Sequence, residues 1–286
     1  MSKLFLSLAA LAAKILPDSF KQALYKIKPL AGLIRRGLNR AAPAGLAEVK
    51  IAAGDLAGFT LLLDMHLEKD FWLGTYEPEL QAAIRDLVRP GMVLYDVGAN
   101  IGYISLLLAR AVGEKGKVYA FEALPANVER LRRNVELNGL EERIYLFARA
   151  VTQAPGPVRF LVHESVGMGK VAGSAGRQEQ YQSEVTVEGI SLDEFVYGQG
   201  NPPPQAVKMD IEGGEVMALP GMQRLLAEAC PLMLMELHGE ESARVAWECL
   251  TAASYEIHWM REGYPIIPAL EALDWKAYIV AKPKGQ

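Results

Sequence analysis

Asp96, Gly98, Asn100 and Gly102 form the run D-x-G-x-N-x-G, with Ala99 between, directly after the apolar stretch Val93-Leu94-Tyr95. A strand that ends in an acidic residue and a glycine turn lets backbone amides approach a ligand at the strand's carboxyl end, where open α/β sheets place their sites. The spacing bears on which ligand. A dinucleotide turn asks for G-x-G-x-x-G with a pyrophosphate resting on the helix N-terminus, and that pattern is missing. Asp96 would repel a pyrophosphate, whereas it suits the amino group or the sulfonium-bearing chain of S-adenosylmethionine. Glu122 stands 26 residues after Asp96 at the end of the next apolar stretch, where a carboxylate can accept hydrogen bonds from both hydroxyls of an adenosine ribose.

A second group of reactive side chains follows later in the chain. Asp210, Glu212 and Glu215 come just after Ala206–Met209, and Glu236 and His238 close the run that starts at Leu232. Carboxylates and an imidazole at neighbouring strand ends can position a hydroxyl and take its proton, which an alcohol must lose to become a nucleophile. Asp210 and His238 are the first candidates for that work, with Glu212 next. Each also has a plainer reading: Asp210 caps a helix or holds the cofactor, Glu212 pairs with Lys208, and His238 sits in a turn. Asp210, Glu236 and His238 could together bind Mg²⁺ through oxygen and nitrogen, but the metal-free reading is preferred. His163, beside Glu164, is a further candidate base.

These residues need strand ends to hold them, and the sequence supplies the pattern. Strands are expected at Met92–Val97, Lys117–Glu122, Arg143–Ala148, Ala206–Asp210 and Leu232–Leu237. Between them lie the helical stretch Tyr103–Val112, one that starts at Pro125 and stops at Asn138-Gly139, and one broken near Pro220-Gly221. A helix around Ser242–Ala253 and a closing pair of strands, Glu256–Met260 and Ala277–Ala281, complete the set. Strand alternating with helix predicts a parallel sheet covered on both faces. The expected fold is α/β: a Rossmann-like, doubly wound, mostly parallel sheet with an antiparallel closing strand over residues 48–286, plus an N-terminal helical arm over 1–47. Glu48–Met65 reads as a hairpin around Gly54-Asp55. Val158–Val162 and Glu184–Val187 read as two strands separated by a loop holding Gly167, Gly169, Gly173 and Gly176, either disordered or a lid.

Composition narrows the partners. With 51% hydrophobic residues among 286, the chain can bury one sizeable core, and a disordered or fibrous protein is excluded. Residues 1–47 hold eight Lys/Arg against Asp18 alone, so the remainder carries 22 basic and 33 acidic residues. An acidic body argues against a nucleic acid partner, since phosphates need a basic surface. Cys230 and Cys249, at no metal or redox spacing, read as small buried hydrophobes in a reducing cytoplasm. Leu4, Leu8, Leu11 and Ile15 recur at helical spacing. That stretch fits a helix packed on the protein, or one lying on the inner membrane face or on an oligomer partner; a signal peptide is the remaining reading.

Set together, these stretches resemble the FkbM-type methyltransferases, a branch of the class I S-adenosylmethionine-dependent superfamily. The resemblance is carried by Gly74-Thr75-Tyr76-Glu77-Pro78-Glu79, the run Pro90 to Gly102, Phe121-Glu122-Ala123, Asn134 to Gly139, and Val207-Lys208-Met209-Asp210-Ile211-Glu212-Gly213-Gly214-Glu215. It departs from the family pattern at Ala123, where a proline is usual. The resemblance implies methyl transfer from S-adenosylmethionine to a small acceptor, commonly a hydroxyl of a sugar, polyketide or other metabolite. It also implies that Glu77, Ala123 and Ala150 join the glycine turn and Glu122 around the cofactor. Two rival readings are a nicotinamide-dependent oxidoreductase, opposed by the glycine spacing, and a non-catalytic, membrane-associated cofactor-binding protein, supported only by the basic arm.

Overall fold

The structure is a computed structural model that describes residues 44–163, 169–176 and 181–285, together with the single positions 12, 36, 40 and 42. The expected helical arm therefore lies almost wholly outside the described residues. Those described divide into two compact units, one reaching to Pro78 and including Glu136–Asn138, the other holding Glu79–Val135 and the chain from Gly139 onward. Among the described residues no helix is long and apolar enough to cross a membrane.

In the first unit, β1 (Leu46–Lys50) and β2 (Thr60–Asp64) pair antiparallel as the expected hairpin, from Leu46 opposite Asp64 to Lys50 opposite Thr60. Alternation sets the buried face: Leu61 and Leu63 are buried, and their neighbours are more open. The short helix α1 (Lys69–Leu73) stops on Gly74 at φ +70°. A Cβ there would come 2.3 Å from the carbonyl oxygen of Ala53, so the turn can hold only glycine. The Asn138 amide donates to the Thr60 carbonyl (2.8 Å) and accepts from its N–H (2.9 Å), serving the edge of β2 as a backbone partner would.

The second unit begins in α2 (Pro78–Leu87) and runs through β3 (Val93–Val97), α3 (Tyr103–Val112), β4 (Lys117–Phe121), α4 (Pro125–Glu136) and β5 (Ile144–Phe147). Then come β6 (Ala150–Val151), β7 (Gly156–His163), β8 (Gly169–Val171) and β9 (Tyr181–Ile190). After β10 (Ala206–Met209) follow α5 (Glu215–Ala218), a 3₁₀ turn over Leu219–Met222, α6 (Gln223–Glu228), β11 (Leu232–His238), α7 (Glu240–Ala252), β12 (Tyr255–Trp259) and β13 (Lys276–Pro283).

Seven strands form the central sheet in the order β12-β13-β11-β10-β3-β4-β5. β5, β4, β3, β10 and β11 run parallel, and β13 is antiparallel to both of its neighbours. The chain winds outward from β3 to β5, crosses back to β10 and winds the other way. The order therefore reverses between β3 and β10, which opens a crevice at their carboxyl ends. β3 and β10 are buried on both faces, as parallel strands under helices must be. Phe195 locks the centre by packing edge-on against Tyr95, Phe121 and Phe147, with ring centroids 5.6, 5.0 and 4.8 Å away.

The doubly wound expectation is met, with three differences. The antiparallel strand is not at the edge: β13 inserts between β11 and β12. The region around 155–197 is not two strands on a loop but a second sheet, in the order β6-β9-β7-β8, and the glycine-containing segment itself supplies β8. Residues 164–168 and 177–180 of that segment lie outside the described ones. Cys230 and Cys249 are half-buried rather than core residues, Cys230 because it occupies a left-handed turn at φ +49°.

Candidate active site

The turn after β3 is shaped by three left-handed residues, Gly98 (φ +78°), Asn100 (φ +50°) and Gly102 (φ +89°). At Gly98 a Cβ would sit 1.9 Å from the Asp210 carbonyl oxygen, so the first turn of the motif and the end of β10 can touch only because this residue is glycine. The N–H groups of Gly98 and Ala99 both donate to the Phe121 carbonyl (3.0 and 2.9 Å), tying the turn to the end of β4.

Asp96 is fully buried. One carboxylate oxygen accepts from the Ser105 hydroxyl (2.5 Å), and the other lies 3.2 Å from the Lys208 ammonium, which also donates to the Gly98 carbonyl (2.8 Å). The Asp96 carboxylate thus holds β3, α3 and β10 together around the turn. Lys208 pairs with Asp96.

Glu122, one residue beyond β4, is nearly as buried. Its Oε2 accepts the Asn100 N–H (2.8 Å), and its Oε1 accepts the Leu124 N–H (2.8 Å) and, more weakly, the Asn127 amide (3.4 Å). Burial pushes its carboxyl above the usual range, and these donors only partly offset the effect. Two carboxylate oxygens offer about four acceptor sites, so capacity remains for a ribose hydroxyl.

The second cluster gathers around His238, the last residue of β11. Its Nε2 lies 2.9 Å from Glu236 Oε1 and 3.7 Å from Glu212, and its Nδ1 lies 3.8 Å from both Asp210 and Glu215. Burial alone would push the imidazole down, but the four carboxylates more than reverse this, and its pKa is pushed up to about 10. Burial likewise opposes ionisation of Glu236, yet His238 and Lys276 hold its carboxyl down at about 2. Glu215 is fully buried and accepts from the Ser242 hydroxyl (2.8 Å) and the Ile211 N–H (3.2 Å), closing the Asp210–Glu215 loop on itself. The side chains of Asp210 and Glu212 keep 19% and 27% of their surface open.

The structure therefore brings Asp210, Glu212 and His238 together, with Glu215 and Glu236. Lys276 joins them because β13 sets it directly opposite His238. No sequence signal marked Lys276, since the register of an antiparallel neighbour is a non-local choice. Asp210, Glu236 and His238 each offer a ligand atom within 4.8 Å of the others. Within that set Glu236 also pairs with Lys276. Ala123 and Ala150 are buried in a small apolar cluster with Leu124, Phe160, Val171 and Val187 that joins the second sheet to the segment following β4. His163 ends β7 with its ring against Tyr181 (5.5 Å) and does not join the carboxylates around His238. Glu77, at φ +45° before Pro78, belongs to the first unit.

A glycine cradle at the sheet's switch point, with a carboxylate at the end of the next strand, places the site at the carboxyl ends of β3, β4 and β10. Residues 96–262, more than half of the chain, match the family described as the methyltransferase FkbM domain. The chain belongs to that family. It is 29% identical over 154 residues to the hexuronic acid methyltransferase AglP of Haloferax volcanii, a match covering 51% of this chain and 56% of that protein. The chain thus spans only about half the length of that relative. A 62-residue stretch is 42% identical to the tRNA (adenine(58)-N(1))-methyltransferase TrmI of Thermus thermophilus, covering 21% of this chain and 24% of that one. The crystal structure of methyltransferase FkbM from Methylobacillus flagellatus aligns with a TM-score of 0.44 at 18% identity, over 76% of this chain and 53% of that chain.

Proposed function

We propose that the chain methylates a hydroxyl group of a small acceptor, a sugar in the first instance, with Asp210 taking the proton. The observation that carries this is the ring of four carboxylates around His238 at the carboxyl ends of β10 and β11, beside the glycine cradle. The hexuronic acid methyltransferase among its relatives points to the same acceptor class.

Bound S-adenosylmethionine supplies a methyl group on a positively charged sulfur, and transfer of that methyl to oxygen leaves a neutral thioether. The glycine cradle and Glu122 fit its adenosine and methionine parts. Gly98 and Gly102 hold the left-handed turn tight against Asp210 and Leu131, and Glu122 retains acceptor capacity. The chain then has to align the acceptor and remove its proton. As the new carbon–oxygen bond forms, the hydroxyl proton passes to the Asp210 carboxylate, with Glu212 the other open carboxylate within reach. His238 keeps a proton throughout the neutral range and so positions Asp210 and Glu212 instead of acting as the base.

Asp210→Asn keeps shape while removing the proton acceptor. It is expected to lower kcat on the order of 10²–10⁴ with cofactor affinity retained. Unchanged turnover with a true acceptor would move the base to Glu212. A metal-assisted route would show itself as loss of activity in chelator and recovery with Mg²⁺, and the metal-free reading expects neither. We also propose a cytoplasmic setting, where the free thiols of Cys230 and Cys249 stay reduced. Any contact with a membrane surface or a second copy is assigned to the N-terminal arm.

A further inference from the structure

We infer that the indole of Trp275 is the platform on which the acceptor's ring lies, and that this ring is an uncharged sugar whose hydroxyls reach Asp210 and Glu212. The inference rests on the methyltransferase reading above and adds the acceptor's class and seat.

Trp275 stands in the segment entering β13, 46% exposed, whereas Trp72 is buried and Trp247 and Trp259 are half-covered. Exposure of one large aromatic is ordinary on a protein surface. Its surroundings are not. The indole lies 6.4 Å from the imidazole of His238, centroid to centroid, with the rings nearly perpendicular. Its carbonyl accepts the Gly239 N–H (2.7 Å), which fixes the start of β13 against the residue that follows His238. A Cβ on Gly239 would come 3.8 Å from the indole nitrogen and 3.3 Å from the Gly176 amide nitrogen, so the indole and Gly176 both lie beside the Gly239 turn. Gly176 in turn abuts the Glu212 carbonyl, and the Ala175 N–H donates to the Gly213 carbonyl (3.0 Å). The exposed indole and the part-open carboxylates of Asp210 and Glu212 thus all flank His238.

The chemistry of that setting selects the ligand. An ionised carboxylate only accepts hydrogen bonds, so Asp210 and Glu212 ask for a molecule with more than one hydroxyl to donate. The four carboxylates around His238 outnumber the three nearby cations, Lys276, Lys170 and the imidazolium, which disfavours an anionic group at the same place. An aromatic face adds an apolar surface of fixed orientation. A pyranose ring has an apolar C–H face and a rim of hydroxyls, and it satisfies all three demands. A uronate satisfies only two of them, so this acceptor differs in charge from that of the hexuronic acid methyltransferase.

The test uses the full chain with the methyl glycosides of glucose, mannose and galactose, their uronate counterparts, and catechol as a planar hydroxyl donor without a sugar ring. Tryptophan fluorescence is titrated with each compound, labelled methyl transfer gives kcat and KM, and calorimetry gives S-adenosylmethionine affinity. One or more neutral glycosides should shift the fluorescence saturably and accept methyl. Trp275→Ala should abolish the shift and raise KM for that glycoside by about tenfold, with kcat within a few-fold and cofactor affinity unchanged. Trp275→Phe should recover most of the affinity. Three results overturn the proposal while leaving the methyltransferase reading intact: catechol methylated with no glycoside bound, uronates preferred over neutral glycosides, or KM unmoved in Trp275→Ala. Absence of S-adenosylmethionine binding by the wild type would overturn the underlying reading itself, and this inference with it.

Discussion

Glu122 shows how one side chain can be pulled in two directions by its setting. Burial raises its pKa, so acidification protonates it sooner than an exposed glutamate, and it then loses acceptor sites for the ribose hydroxyl proposed to bind there. Cofactor affinity should therefore weaken on acidification before an ordinary carboxylate would titrate. The fold should respond with the opposite sign, because an acid whose folded pKa is raised binds its proton more tightly when folded. Calorimetry across pH on the wild type and Glu122→Gln checks this. The variant should bind about 1.5–3 kcal/mol more weakly at neutral pH and lack the acid limb that the wild type has. Glu122, Asp210 and His238 were all legible in the sequence, because a polar residue that ends an apolar strand stands out. The inward turn of Asp96 was not, since its partners Ser105 and Lys208 are distant in sequence and neither carries a motif. Nor was the charge state of His238, which follows from four carboxylates brought together by two strands and a loop.

At the scale of elements, the β3–α3 turn is the most demanding piece of backbone. Gly98→Ala would combine a left-handed backbone with a Cβ 1.9 Å from the Asp210 carbonyl, so β10 would have to move away from β3. We expect a clearly lower Tm together with loss of S-adenosylmethionine binding, and a variant that keeps both would mean the turn relaxes freely. Lys208→Met leaves the Asp96 carboxylate buried without its cation, a change that typically costs about 3–5 kcal/mol and is read directly by urea unfolding. The alternating strands and helices of this unit were plain from the sequence, since a parallel sheet writes itself as apolar runs between amphipathic helices. The insertion of β13 and the second sheet were not, because antiparallel partners are chosen by tertiary packing. Asn138 illustrates the same limit: it reads as a helix stop, yet its amide also serves the edge of β2.

The whole molecule carries its electrostatic balance in the His238 cluster. His238, raised from 6.5 to about 10, contributes stability that is complete below about pH 6.5 and lost as pH rises through about 10. Glu236, lowered from 4.5 to about 2, contributes stability that is complete above about pH 4.5 and lost as pH falls through about 2. The Tm difference between wild type and His238→Gln should therefore be largest between about pH 4.5 and 6.5 and shrink as pH rises toward 10, and a difference that keeps growing into alkali would contradict the assignment. Deleting residues 2–40 should leave cofactor affinity nearly unchanged, since the glycine turn and Glu122 come later in the chain. A truncation that stays folded and loses binding would make the arm part of the site.

The place of β13 also sets an order of birth. It is the last of the seven strands to leave the ribosome, yet it lies between β11 and β12, and it brings Lys276 to His238. A nascent chain that has reached only Trp259 can build the sheet from β5 through β4, β3 and β10 to β11. The outer edge of β11 is then unpaired and β12 has no partner in the sheet. Such an edge is sticky until it is filled. A chain arrested there should bind cofactor weakly or not at all and should need chaperone protection, while release of the following two dozen or so residues lets β13 slide in and finish the acceptor side in one step.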